Sequence, residues 1–78
     1  MHIEDTRAFG QAIRKARRHR RMTQRELALV AGTGERFVVD LESGKPTAQL
    51  GRALAVLATL GLRLDVLDPQ RDTGDAAP

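Results

Sequence analysis

Residues 22–45 read MTQRELALVAGTGERFVVDLESGK, and no other stretch of the 78-residue chain limits the possible folds as strongly. Thr23 and Glu26 stand three apart, the spacing of a capping box in which each side chain accepts from the other residue's backbone N–H. Leu27, Ala28 and Ala31 follow on one side of a short helix. Gly32 stands where such a helix closes through a left-handed residue that glycine adopts cheaply. A second helix is predicted over 35–43, with Val38 and Leu41 on its inner side. Gly44 ends it, and Pro46 prevents simple continuation.

Two short helices joined by a tight Gly-containing turn make a helix-turn-helix. Thr23-Gln24, Glu26-Leu27-Ala28, Gly32 and Leu41-Glu42-x-Gly44-Lys45 resemble the pattern of the Xre/Cro phage-repressor helix-turn-helix family. The continuation from Lys45-Pro46-Thr47-Ala48-Gln49-Leu50 through Leu60-Gly61-Leu62 is similar to the HipB-type antitoxin branch. The likeness covers most of residues 7–67.

Composition agrees with a small nucleic-acid binder without proving one. A chain of 78 residues has room for one small domain. It has no cysteine, which excludes disulfides and thiolate zinc sites and leaves oligomerisation as the remaining staple for so small a core. With no long apolar run and no signal-peptide pattern, a cytoplasmic protein with no membrane partner is expected. The formal net charge is +3. Arg71 against Asp68, Asp72 and Asp75 makes residues 68–78 net −2, which leaves +5 on residues 1–67. A merely soluble basic protein would have the same totals.

A first helix is predicted to run to about His19, capped by Asp5 or Thr6, with Phe9, Ala12, Ile13 and Ala16 at core spacing. Its second half is crowded with Arg14, Lys15, Arg17, Arg18, Arg20 and Arg21, more cations than a helix dipole needs. Arg21 stands where the family usually has Gly, so a left-handed residue or an altered turn is expected there. Thr47 is expected to cap a last helix from about Ala48 to Leu60, ended by Gly61, with Leu50, Ala53, Leu54 and Leu57 as its core stripe. Val56, Ala58 and Leu60 make its apolar arc wider than one small core requires. Leu62-Arg63-Leu64-Asp65-Val66 alternates with the period of a half-buried strand, and the stretch after Asp68-Pro69 reads as disordered tail.

In a helix-turn-helix the second helix enters the major groove. Turning Val38 and Leu41 inward puts Arg36, Val39, Asp40 and Ser43 outward, with Glu35 beside the N-terminus. Arg36 matches guanine O6 and N7, Glu35 suits a cytosine amino group, and Val39 suits a thymine methyl. Glu35 serves equally well as an N-terminal charge that stabilises the helix dipole. Phe37, on the boundary of the inner stripe, reads as half-packed core. By the resemblance, Gln24 corresponds to the family's phosphate-binding glutamine. Lys45, Arg14, Arg18, Arg25 and Ser43 are further candidates for phosphate contact. The family pattern also implies a structural ion pair between Arg17 and Glu42. Two positions depart from that pattern. Gly34 replaces a capping Ser or Thr, and Asp40 replaces a basic residue, so its carboxylate must face solvent or pair with a nearby Arg.

These readings converge on an all-α, four-helix phage-repressor-like domain over residues 1–61, a dimerisation strand over 62–67 and a tail over 68–78. The strand should pair antiparallel with that of a second copy, because a lone strand leaves an unpaired hydrophobic edge. Val56, Leu60, Leu62, Leu64 and Val66 are the expected dimer interface. The resemblance implies double-stranded operator DNA as ligand, a homodimer that represses its own operon, and a HipA-like kinase toxin as partner. A free-standing repressor and a protein-interaction module that uses DNA little are the alternatives. His2 and His19 have no catalytic company, and neither a metal-ligand set nor a cofactor motif is present, so no enzyme is expected.

Overall fold

The computed structural model describes residues 2–70 and has four helices: α1 (Thr6–His19), α2 (Gln24–Ala31), α3 (Glu35–Ser43) and α4 (Leu50–Thr59). α3 packs on both α1 and α2, and α2 also packs on α4. Ile13, Leu27, Ala28, Val38, Leu41, Ala53, Val56, Leu57 and Leu60 are buried together as one core.

All four helices close in the same way. In each, the residue after the last turn is left-handed, at Arg21, Gly32, Gly44 and Gly61. The next residue's N–H reaches back to the carbonyl five before it: Met22 to Arg17, Thr33 to Ala28, Lys45 to Asp40, and Leu62 to Leu57, at 2.9–3.2 Å. The left-handed residue's own N–H reaches back three, completing a Schellman motif. Three of these positions are glycine; Arg21, at φ 56°, is the one that carries a Cβ, the left-handed non-glycine expected from the sequence. Met22 and Leu62 then pack against the core directly after their closures.

At the other ends, Asp5 caps α1 by accepting from the Ala8 N–H at 2.8 Å, while the Thr6 hydroxyl donates to the Gly44 carbonyl at 2.7 Å. The Thr23–Glu26 capping box forms in both directions, at 3.0 and 2.8 Å. Gly10, in the interior of α1, lies against the backbone of α3: a Cβ there would meet the Leu41 carbonyl and stand 2.6 Å from the Glu42 carbonyl oxygen.

The last third of the described chain corrects three expectations. Thr47 caps nothing; residues 46–47 form a turn and α4 begins at Leu50, with Gln49 before it and no side-chain cap. The α3 closure leaves Lys45 directed at Asp40, and the chain needs Pro46–Gln49 to turn before a new helix can start. The inner face of α4 is Ala53, Val56, Leu57 and Leu60, while Leu50 and Leu54, both expected in its core stripe, are 64% and 41% exposed. Val56 and Leu60, read as surplus surface for a second copy, are therefore sealed inside this chain's own core. In the single chain no strand forms among the described residues, and residues 62–68, expected to pair with those of a second copy, follow α4 without regular structure. Leu62 is half-buried and Leu64 lines an apolar groove with Ile3, Phe9, Pro46 and Leu50. Val66 is 87% exposed. No described helix is long and apolar enough to cross a membrane. Residues 71–78, most of the expected tail, lie outside the described residues.

Candidate nucleic-acid interface

The geometry of the outward face of α3 is set from behind by one buried carboxylate. Glu42 Oε2 accepts from Arg17 Nε at 2.6 Å, and its Oε1 accepts from Arg17 Nη2 at 3.0 Å, the two-pronged geometry that a guanidinium and a carboxylate form best. Both side chains are buried. Arg17 Nη1 donates to the Met22 carbonyl at 2.8 Å, so the same guanidinium ties α1, the α1–α2 turn and α3 together. The hydrogen bond to Glu42 raises the Arg17 pKa above its already high ordinary value; burial opposes this and the charge of Glu42 adds to it. Arg17 is thus charged at any pH at which the domain would be studied.

Gln24 joins this cluster, a contact that the sequence reading missed. Its Nε2 donates to Glu42 Oε1 at 3.1 Å. A primary amide nitrogen carries two hydrogens, so this bond uses one and the second is available to another acceptor. One half-buried side chain then touches the brace behind α3 and keeps a second N–H to offer. The matching of Glu42 and Gln24 to the family pattern carried the signal, but no spacing rule relates residues 18 apart.

On the outward side, Glu35 and Arg36 are exposed and Val39 is half-buried. These are the side chains that one face of α3 presents together. Gly34 occupies the N-cap with no side-chain hydrogen bond, leaving the first-turn amides of α3 without a covering hydroxyl. Phe37 packs against the core. Ser43 donates its hydroxyl to the Asp40 carbonyl at 2.8 Å, so a phosphate contact from Ser43 requires that hydrogen to swing away. Asp40 pairs on both sides: Oδ1 stands 3.4 Å from Arg36 Nε and Oδ2 stands 3.5 Å from Lys45 Nζ. Arg25 is exposed on α2, and Arg14 and Arg18 line an open groove on α1 with Gln11, Lys15 and His19.

The helix-turn-helix family model matches residues 13–67 of this chain. The chain is 55% identical over 61 residues to an uncharacterized HTH-type transcriptional regulator, y4mF, of Sinorhizobium fredii, a match covering 78% of this chain and 80% of that protein. It is similar in fold to HipB as seen in the complex of a HipB variant with the O2 20mer, at TM-score 0.80 and 22% identity, over 87% of this chain and 94% of that one. HipB in a complex with HipA, O2 and O3 gives the same TM-score and identity, over 87% and 96% of the two chains.

Proposed function

The chain belongs to the helix-turn-helix family, and from that premise we propose that it is a transcriptional regulator that binds duplex DNA sequence-specifically as a homodimer. The observation that carries the reading is the relation between the two sides of α3. The inner side is fixed by the Arg17–Glu42 pair, and the outer side offers Glu35, Arg36 and Val39. Rigid placement of a few side chains is what direct readout of base edges demands. Gln24, Lys45, Arg14, Arg18, Arg25 and Ser43 supply phosphate contacts that set the register.

Two copies join through residues 62–67, which pair antiparallel once a second chain supplies the missing ladder partner. Leu64 and Val66, exposed in the single chain at 50% and 87%, become the covered face of that sheet, beside Leu62. Autorepression and the neutralisation of a HipA-like kinase toxin complete the proposal. The likeness to HipB, which has been solved in one complex with HipA, supports this part. A free-standing repressor is the second reading, in keeping with a relative at 55% identity that is named as an uncharacterized HTH-type transcriptional regulator. The genes beside this one separate the two.

Selection of bound sequences from a pool of random duplex DNA tests the central claim. An inverted repeat with half-sites about one helical turn apart, roughly 34 Å, is expected. Recovery of sequences with no shared element would overturn it.

A further inference from the structure

We propose that Asp40 is a specificity-determining residue, whose carboxylate draws the Nε side of the Arg36 guanidinium towards itself and so favours presentation of the Nη1/Nη2 end to a base. The inference rests on the reading of Arg36 as a base contact. An unrestrained arginine can present either of two two-pronged edges, Nε with Nη2 or Nη1 with Nη2, and both fit guanine O6 and N7. Asp40 Oδ1, one helical turn along α3, forms an ion pair with Arg36 Nε at 3.4 Å and so faces the first edge. The second edge is then the one turned away from the carboxylate.

The carboxylate is itself held. Its other oxygen, Oδ2, stands 3.5 Å from Lys45 Nζ, which comes from the segment directly after α3. The Asp40 side chain is 22% exposed against 85% for Arg36, so the anchor is less free than the group it steers. Two cations around one carboxylate leave one net positive charge, and a negative residue can therefore sit on this face without repelling the DNA backbone. In water such pairs contribute little to stability. Their value here is orientation, and it increases when a groove excludes solvent around them.

The test uses the full chain, the duplex that it selects from a random pool and a scrambled duplex of equal length. Asp40→Ala should bind the scrambled duplex more tightly, having lost a negative charge and released two cations. Its preference for the selected duplex should fall about tenfold. The Asp40 carbonyl bonds to Lys45 and Ser43 remain, so the melting temperature should hold. In an Arg36→Ala background the same substitution should leave the preference unchanged, because nothing remains to be oriented. A preference that is unchanged in the single variant, or that falls equally in the Arg36→Ala background, overturns the role. A wild-type chain with no preference at all would overturn the reading of the site itself, a result distinct from either.

Discussion

Gly10 and Glu42 touch through backbone alone: α1 comes so close to the end of α3 that a Cβ on Gly10 would stand 2.6 Å from the Glu42 carbonyl oxygen. A glycine inside a helix ordinarily costs about 0.5–1 kcal/mol relative to alanine. Gly10→Ala should nevertheless destabilise the domain by about 2 kcal/mol or more, because two backbones must separate. Gly51, also helical but facing open space, provides the control. Gly51→Ala should stabilise by up to about 1 kcal/mol in the same chemical denaturation series, and a gain from both substitutions would remove the close-contact account.

The buried pair behind α3 should show strong coupling. Removing one partner of such a pair leaves the other charge uncompensated, at a cost of about 3–5 kcal/mol. Glu42→Ala and Arg17→Ala should each approach that range by urea unfolding, and the double variant should lose clearly less than their sum. Additive losses would mean that the two residues act separately.

Arg21 gives a change of opposite sign. A side chain in the left-handed region costs about 1–2 kcal/mol, and Arg21 occupies the closure position that glycine fills in the other three helices. Arg21→Gly should therefore raise stability by about 1 kcal/mol, read as a higher urea midpoint with an unchanged slope.

DNA contacts divide by what they lose. Lys45→Ala should weaken selected and scrambled duplexes alike and lower the salt dependence of binding by about one unit. Arg36→Ala should cost about 1–3 kcal/mol on the selected duplex and relax one base pair in each half-site. Equal loss on both duplexes would make Arg36 a phosphate contact.

The proposed dimer seam is testable at Leu64, which is half exposed and outside the core. Leu64→Pro removes a ladder donor and an apolar contact together. A monomer by light scattering at micromolar concentration is expected, with the four-helix domain still folded by circular dichroism; a persistent dimer would place the seam elsewhere.

What the sequence disclosed follows how local the governing chemistry is. The ends of α2 and α3 were legible because capping boxes and left-handed glycines act within five residues. The start of α4 was not, since Thr47 is a good cap residue that the turn after Pro46 leaves without a helix to cap. Nor was its buried face. Seven of the ten residues in LGRALAVLAT are Leu, Ala or Val, and only packing against the rest of the core decides that Val56 goes in and Leu50 stays out. Gly10 lay in plain view as a glycine in a helical pattern, the ordinary sign of close backbone approach. Asp40 and Arg36 had the i,i+4 spacing of an ion pair, whereas the contact with Lys45 depends on how the chain leaves α3.

Because each helix is terminated by its own local stop, the length and pose of α3 do not depend on the residues it turns towards solvent. Positions 35 and 36, both exposed, can therefore be exchanged while the frame that carries them stays fixed. Under the proposed function, binding preference can diverge among copies of such a gene without each new target sequence having to await a compensating change in the core.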